Sequence, residues 1–598
     1  MSSRAGFLLF AAALPLAAQV WDNTGNKLLN GTYSFREVTL SSGDALALYG
    51  TITFTNGNYS IKATLLQAST QTGGPLTESG TYSIAASGFG FITNPLAGSP
   101  IYGLVGANGV FVGSVTEINV SDIFIAAPVS SPNIGTLNGA YSLSYLQPSI
   151  ESGGIPFGSL LEMKSNGSGT IGNVQLTAYA DKSTPSTQTL TGVTYSVNAN
   201  ASIVTFPSSS TGLIQGQEYL YSTSDGNFVF GGSPLDFDML VGVRTGAKGP
   251  FGGLYYQAGF GLNESQYDSS GGLNFINYYG SFNAANGLIL GHRRLQTGQR
   301  PLQPGAPAGI GFTYSATYPA DSGGTYTDTA LSVHAGSFQQ LVADSHADFQ
   351  IGVGLGPFPG ISVAVRAPAF SGSGVYIYPT GVVNTASFSP FTAGVSPGDF
   401  ITIYGSNLGP SELIGASSLP LPDTLGNVKV LINNVPAHLS YVSAAQVAAI
   451  VPFGITGAVA AIQVIYNGQA SNVVTEFVNQ TTPGIFTQDE SGSGYAAALH
   501  KDGSLVTPDH PARAGETVAV YVAGLGPLDA ASITTNRITA DLGGTAATVT
   551  FAGLAPGFEG LYQVNIQIPS GLTAGKKAVD LRAPDCFASE AFIPIGDP

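Results

Sequence analysis

The sequence is 598 residues long, which at about 100–200 residues per domain excludes a single hydrophobic core and predicts several domains. Charged residues make up 9% and hydrophobic residues 43% of the chain, so it is not a polar, disordered polypeptide. The formal net charge is −16, and no nucleic-acid partner is expected because binding one requires clustered lysine and arginine.

The first 18 residues have the pattern of a signal peptide. Arg4 precedes an apolar run from Ala5 to Leu16, and the small residues that follow predict cleavage after Ala18. The run is too short for a membrane-spanning helix, which needs about 20 apolar residues. We therefore expect an extracellular or cell-surface protein without an integral membrane segment after signal cleavage.

Three related segments follow, with predicted boundaries at 22–130, 131–248 and 249–356. Each contains two tyrosine markers and one phenylalanine marker in the same order, at a period of about 110 residues. The markers are Tyr33, Tyr141 and Tyr255; Tyr82, Tyr195 and Tyr314; and Phe111, Phe228 and Phe338. The sequences SDIFIAA, DFDMLVG and ADFQIGVG are predicted to close the three segments.

Short runs rich in Val, Ile, Thr, Tyr and Phe, separated by Asn-Gly or Asp-Gly pairs, predict antiparallel strands joined by hairpins. Asn56-Gly57 and Asp225-Gly226 are examples. Each segment is thus predicted to be a β-meander, and the sequence leaves open whether it closes into a barrel or folds as a sandwich. The predicted fold class is all-β.

After a predicted linker at 357–379, the C-terminal part contains a duplication. Identical residues recur at a constant offset of 117 residues, among them Tyr404 and Tyr521, Gln446 and Gln563, and Pro452 and Pro569. Alternating buried positions in the aligned strands favour two immunoglobulin-like sandwiches. Their predicted ranges are 380–480 and 481–598.

The motifs PGDFITIYGSNLGP, QVAAIVP, TTPGIF, VYVAGLGP and GLYQVNIQIP resemble a C-terminal module of secreted acidobacterial proteins. The first half of that module is similar to the TIG (IPT) immunoglobulin-like domains. The resemblance implies a pair of β-sandwiches at the end of an exported protein and brings no catalytic residues with it. The N-terminal repeats resemble β-domains of other secreted bacterial proteins more loosely.

The sequence contains few candidates for catalytic or metal-binding residues. There is no Gly-x-Ser-x-Gly motif, no catalytic residue is assigned, and no cofactor is predicted. Asp344, His346 and Asp348 alternate in ADSHADF, and on a strand they would point from one face as possible metal ligands. The alternative interpretation is a solvent-facing strand or loop.

Aromatic residues in 252–282 give the second candidate. Tyr255, Tyr256, Tyr278 and Tyr279 lie among Asn, Gln and Ser, a combination suited to stacking on sugars, although the same residues suit a strand core. The nearby basic cluster 292–294 is interpreted as a solvated loop.

The leading hypothesis is a secreted or cell-surface, non-enzymatic multidomain β-protein that acts in adhesion, binding or structural spacing. The expected partners are a polysaccharide or a cell-surface protein. One alternative is a carbohydrate-binding protein that uses the Tyr-rich third repeat, and a second is an extracellular hydrolase with a dispersed site.

Overall fold

The computed structural model describes residues 21–597 apart from 42–43, 97–98, 117–119, 149–156, 179–185, 209–212, 263–274, 297–306, 328–339 and 356–358. Within these residues the regular structure is β-strand, with two short 3-10 helices, Asn26–Leu28 and Phe391–Ala393, and no α-helix. The predicted all-β class is confirmed. The predicted signal segment 1–18 lies outside the described residues.

The first unit is a closed barrel of eight antiparallel strands in chain order. Its first and last strands pair from Tyr33↔Pro128 to Ser41↔Val120, which closes the meander. The Asn56-Gly57 turn has positive φ at both residues, 47° and 82°, as a two-residue hairpin requires. The strands are β1 (Gly31–Ser41), β2 (Asp44–Thr55), β3 (Asn58–Gln67), β4 (Thr72–Ile84), β5 (Phe89–Thr93), β6 (Pro100–Val105), β7 (Phe111–Ser114) and β8 (Val120–Pro128).

The second unit repeats this plan with one strand interrupted. Its strands are β9 (Asn138–Gln147), β10 (Phe157–Asn166), β11 (Val174–Ala178), β12 (Ser186–Leu190), β13 (Thr194–Val197), β14 (Ser202–Phe206), β15 (Gly216–Ser222), β16 (Phe228–Gly232) and β17 (Met239–Thr245). β12 and β13 are consecutive in the chain, yet they lie at opposite edges of the nine-stranded sheet. Together they correspond to the continuous β4, broken near Gly192, which has a positive φ of 74°.

The third unit closes one strand later than the sequence predicted. Its strands are β18 (Gly253–Leu262), β19 (Phe275–Ala285), β20 (Leu288–Leu295), β21 (Ile310–Thr317), β22 (Tyr326–Thr327), β23 (Gln340–Ala343), β24 (Phe349–Gly354) and β25 (Gly360–Arg366). β25 pairs with β18 and closes the unit beyond the predicted boundary at 356, inside the predicted linker. ADFQIGVG therefore forms the penultimate strand β24, and the counterpart of Phe111 and Phe228 is Phe349. The predicted marker Phe338 lies outside the described residues.

The fourth unit is a sandwich of two five-stranded sheets around one apolar core. Its strands are β26 (Tyr376–Asn384), β27 (Phe400–Ser406), β28 (Ile414–Gly415), β29 (Val428–Ile432), β30 (Val435–Pro436), β31 (His438–Val442), β32 (Gln446–Ile450), β33 (Val459–Tyr466), β34 (Gln469–Ala470) and β35 (Val474–Phe477).

The central strands of the fifth unit pair in the same register as those of the fourth. Its strands are β36 (Gly484–Ile485), β37 (Gly494–Tyr495), β38 (Ala498–Leu499), β39 (Thr517–Ala523), β40 (Thr539–Leu542), β41 (Thr545–Leu554), β42 (Tyr562–Gln567), β43 (Gly575–Arg582) and β44 (Cys586–Ile595). Tyr521 pairs with Gln563 as Tyr404 pairs with Gln446, so the duplicated residues occupy equivalent ladder positions.

The units are not separated by solvent. One continuous hydrophobic core contains buried residues of the first four units, among them Phe89, Phe228, Tyr256 and Phe477. The third and fifth units share a sheet, because β21 and β44 pair in parallel from Gly311↔Cys586 to Tyr314↔Ser589. The chain therefore folds as an interlocked assembly.

Candidate functional site

The four tyrosines predicted to bind a sugar are core residues in this structure. Tyr255, Tyr256, Tyr278 and Tyr279 are at most 2% exposed. Tyr255 belongs to an apolar cluster of the third unit, and Tyr278 to a small cluster that includes Phe587 of the fifth. Tyr256 and Tyr279 pack in the core shared by the first four units. Neighbouring protein atoms cover the ring faces that a sugar would need. The sequence pattern was correct for strands and misleading for a site, because both faces of β18 and β19 are buried.

Tyr255 and its counterpart Tyr141 in the second unit have the same structural role. Its hydroxyl donates to the carbonyl oxygen of Ala347 at 2.6 Å, and Tyr141 donates to the carbonyl of Gly226 at 3.0 Å. Gly226 and Ala347 occupy the same position in the turn before the penultimate strand, and both have positive φ. In these two units the tyrosine thus fastens this turn to the first strand.

The predicted metal ligands form that same turn. Asp344 accepts hydrogen bonds from the backbone N–H groups of Phe349 (2.8 Å) and His346 (3.1 Å), and Asp348 pairs with Arg366 at 3.0 Å. The His346 side chain is 65% exposed. The described residues contain no group of three or more His, Cys, Asp or Glu placed to hold a metal ion. Asp344, His346 and Asp348 do not alternate on a strand, because Ala347 turns the chain between them.

This arrangement makes a test of the turn straightforward. We expect Asp344→Ala to lower the free energy of unfolding by about 1–3 kcal/mol, because two backbone donors lose their acceptor. His346→Ala should change it by less than about 0.5 kcal/mol, because its side chain is exposed. Urea denaturation measures both. A metal site would instead make both variants costly and would make the melting temperature fall on addition of EDTA.

The basic cluster 292–294 is part of β20, which corrects its interpretation as a solvated loop. His292 is buried against Thr392, and Arg294 donates to the side-chain oxygen of Asn479 at 2.6 Å. Arg293 points to the other face, where its guanidinium lies over the Tyr278 ring at 4.5 Å and the Tyr314 ring at 4.7 Å. Alternation along one strand therefore directs one arginine into the third unit and one toward the fourth.

Ionizable groups at the junctions between units are the feature that the sequence did not reveal. Arg36 of the first unit is 1% exposed and forms an ion pair with Asp238 of the second at 2.8 Å. Glu37 and Asp122 are fully buried side by side in the first unit, near Asn277 of the third. Burial, with the neighbouring Asp122 carboxyl, raises the pKa of Glu37 to about 8.

Two further buried carboxyls lie at the C-terminal junctions. Burial raises the pKa of Asp399, which accepts from Thr482 at 2.7 Å, to about 8. Burial likewise raises the pKa of Glu590 to about 7, and this residue accepts hydrogen bonds from Thr313 of the third unit and from the Ile485 N–H. No local motif marks such residues, because their partners are remote in sequence.

A surface cavity of about 310 Å³ lies on the fifth unit, between the turn after β38 and the segment before β39. His500 is buried at its edge and places Nδ1 2.5 Å from Glu516 Oε1 and Nε2 3.1 Å from the carbonyl oxygen of His510. The imidazole rings of His500 and His510 lie 4.1 Å apart between centroids and are tilted by 32°. Lys501 and Arg513 also line the cavity. We call this the His500 pocket.

Hydrogen bonds within the pocket favour the protonated form of His500. Burial opposes protonation of His500, but the hydrogen bonds to Glu516 and to the His510 carbonyl outweigh it and raise the pKa of the imidazole. Both ring nitrogens face acceptors, which favours the doubly protonated ring. The signal in the sequence was the concentration of charged residues and histidines in 500–516, in a chain with only 9% charged residues.

The pocket does not have the geometry of a serine hydrolase. Ser504 donates to Asp502 at 2.6 Å and lies 3.5 Å from His510 Nδ1, so the acid contacts the serine rather than the histidine. A triad requires the acid to orient the histidine that activates the serine. The Asp502–Ser504 pair instead stabilises the turn after His500.

These features define a multidomain all-β protein with immunoglobulin-like units at its C-terminal end. Residues 384–478 match the IPT/TIG domain family, which confirms the resemblance seen in the fourth unit. This immunoglobulin-like type of fold fits a β-sandwich binding or spacer protein. The described residues include no helix of the length and apolarity that crossing a membrane requires.

Comparison with solved structures gives only distant similarity. The Bacteroides ovatus protein SGBP-B of a mixed-linkage glucan utilization locus, solved with a heptasaccharide, is 12% identical, with 57% of this chain and 60% of that chain covered and a TM-score of 0.19. Gamma-CGTase from Alkalophilic bacillus clarkii is 14% identical, with 53% of this chain and 37% of that chain covered and a TM-score of 0.13. The plexin A4 extracellular region is 7% identical, with 92% of this chain and 68% of that chain covered and a TM-score of 0.13. This chain thus spans less than two thirds of the first two structures. At such TM-scores none of them informs its function, and no curated protein matches it.

Proposed function

We propose that this is an exported, non-enzymatic protein of the cell surface or extracellular matrix that acts as a rigid binding or adhesion platform and spacer. The observation that carries the proposal is the continuous core shared by the first four units, together with the sheet shared by the third and fifth. Domains joined by flexible linkers move independently, whereas large apolar interfaces fix their relative positions.

The N-terminal end of the described chain supports this rigidity. Trp21 stacks on Phe477 of the fourth unit with ring centroids 4.2 Å apart, and its indole N–H donates to the Phe89 carbonyl at 3.4 Å. Two residues 456 positions apart in sequence thus share one aromatic cluster. Such a contact holds the beginning of the first unit against the end of the fourth.

The junction between the fourth and fifth units is tied in a different way. His438 places Nε2 3.2 Å from Asp423 and its other ring nitrogen against Glu559 of the fifth unit. The second Glu559 oxygen accepts the Leu421 N–H at 3.1 Å. This carboxylate therefore contacts the backbone and a side chain of the neighbouring unit at once, which favours a fixed angle between the two sandwiches.

Rigidity predicts a specific unfolding behaviour. Trp21 is the single tryptophan of the chain, so its fluorescence reports on the junction of the first and fourth units. We expect Phe477→Ala to cost about 3–5 kcal/mol of unfolding free energy, as truncation of a buried aromatic residue does. In the unmodified protein, fluorescence and circular dichroism should give coincident urea transitions.

The matched control is Phe558→Ala, because Phe558 is 59% exposed on the fifth unit and its loss should cost less than about 0.5 kcal/mol. Separate transitions for the two probes, or equal effects of the two variants, would contradict the rigid assembly.

The biological part of the proposal is tested by binding and activity measurements. Purified protein should bind to a panel of immobilised polysaccharides or to cell envelopes, and a strain lacking the protein should adhere more weakly to the surface that it colonises. Hydrolysis of a polysaccharide or ester panel above a heat-treated control would show the non-enzymatic assignment to be wrong.

A further inference from the structure

We propose that the His500 pocket binds a small oxyanion, such as the carboxylate of an acidic saccharide or a phosphate group. This inference rests on the proposed function in that binding is the activity concerned, and it names the site and the chemical class of ligand.

The two acids that line the pocket are occupied by donors of the protein. Glu516 accepts from His500 through Oε1 and from the Arg513 N–H through Oε2 at 3.0 Å. Asp502 Oδ1 accepts from both the N–H and the hydroxyl of Ser504, at 3.0 and 2.6 Å. These bonds commit much of the acceptor capacity of the two carboxylates to the turns that form the wall.

The two cationic side chains that line the pocket have no such partners among the described residues. Lys501 and Arg513 are exposed, and within the described residues neither side chain forms an ion pair or a hydrogen bond. Asp509, next to His510 in sequence, does not line the cavity. In a chain of net charge −16 with only 19 Lys and Arg, two cations that lack a direct ion-pair partner among the described residues are a specific feature of this cavity, whose lining also contains Asp502 and Glu516. A ligand oxyanion can supply the missing acceptor.

Chemistry and size support a small ligand. A guanidinium presents a fork of N–H donors that matches a carboxylate or phosphate, and charge-assisted hydrogen bonds of this kind are about twice as strong as neutral ones. The His500 imidazole is held in place by its two acceptors, so this edge of the pocket is fixed before a ligand binds. A volume of about 310 Å³ is at the low end for ligand sites and suits one charged group with its ring rather than a long chain segment.

The experiment is isothermal titration calorimetry of the whole protein with D-galacturonate, inorganic phosphate and neutral galactose. We expect binding of at least one anion and no binding of galactose. Arg513→Gln and Lys501→Gln should each weaken anion binding about tenfold, the effect of losing one charge-assisted contact. The matched control is Arg537→Gln, which removes the same charge from an exposed position of the same unit and should leave the affinity unchanged.

The outcomes separate the possibilities. Galacturonate binding identifies an acidic saccharide as the source of the oxyanion, and binding of phosphate alone identifies a phosphate-bearing ligand. Absence of heat with both anions, or equal weakening by Arg513→Gln and Arg537→Gln, overturns the proposal. Because both glutamine substitutions are at exposed side chains, an unchanged melting temperature serves as the folding check. Failure here leaves the rigid assembly untouched, since the Trp21 and Phe477 measurements test that separately.

Discussion

Arg36→Met should destabilise the protein by about 3–5 kcal/mol, the cost of removing one partner of a buried ion pair. The guanidinium of Arg36 donates to Asp238 Oδ1 at 2.8 Å and to the backbone carbonyls of Asp238, Ser233 and Asp236 at 3.0–3.1 Å. One side chain of the first unit thus satisfies four acceptors of a single loop of the second. Methionine keeps the apolar stem and leaves all four without their donor.

The charge balance around Arg36 increases the effect. Glu218 is also buried there, and burial together with the Asp238 carboxylate raises its pKa well above the ordinary range. Arg36 therefore offsets the charge of Asp238 while Glu218 keeps its proton. Without the cation, both acids would lie in an apolar junction with no positive charge beside them.

Urea denaturation measures the loss of unfolding free energy in Arg36→Met, and Arg582→Met is the matched control. Arg582 pairs with Asp541 at 3.2 Å, but its side chain is 43% exposed, and exposed pairs contribute about 0–1 kcal/mol. A double variant, Arg36→Met with Asp238→Leu, should recover only part of the loss, because the three carbonyls stay unsatisfied. Equal effects of Arg36→Met and Arg582→Met would mean that the junction does not depend on the buried pair.

The contrast between Arg36 and the repeat markers shows what the sequence could predict. The repeated tyrosines, the Asn-Gly turns and the constant offset between Tyr404 and Tyr521 are local or periodic, and they correctly predicted strands, hairpins and a duplicated sandwich. Arg36 binds a loop about 200 positions away, and nothing near it in sequence indicates that a cation will be buried there. Contacts between units depend on packing that periodicity does not encode.

The third unit shows a second limit. Tyr256 and Tyr279 looked like ligand residues because aromatic and amide side chains alternate there, but alternation exposes a face only when one side of the strand meets solvent. In this unit neighbouring units cover the outer face. The assignment of ADFQIGVG as the closing strand was wrong for a related reason: hydrophobic strands of one meander resemble each other, and only the pairing of β25 with β18 identifies the last one.

The buried carboxyls predict an acid-shifted stability profile. Asp399 and Glu37, with pKa values raised to about 8, and Glu590, raised to about 7, all keep their protons in the folded state above the range where an exposed carboxyl ionises. Their stabilising contribution is fully present below the unfolded-state pKa near 4, and it is lost as the pH rises through 7–8. Between the unfolded-state and the folded-state pKa, each retained proton lowers the free energy of unfolding by about 1.4 kcal/mol per pH unit. Melting temperatures should therefore fall steadily from pH 5 to pH 8.

Glu590→Gln tests one of these buried carboxyls by itself. Glutamine can accept the Ile485 N–H through its oxygen and donate its amide to the Thr313 hydroxyl, so both contacts of Glu590 persist at every pH. The free energy of unfolding of the variant should match that of the unmodified protein at pH 5 and exceed it by about 3 kcal/mol above pH 8. At that pH the native carboxyl must either ionise in the core or keep an unfavourable proton. Glu162→Gln, on an exposed position of β10, should leave the profile unchanged. Stability that is flat or increasing between pH 5 and pH 8 would mean that these carboxyls ionise in the folded protein as freely as exposed ones.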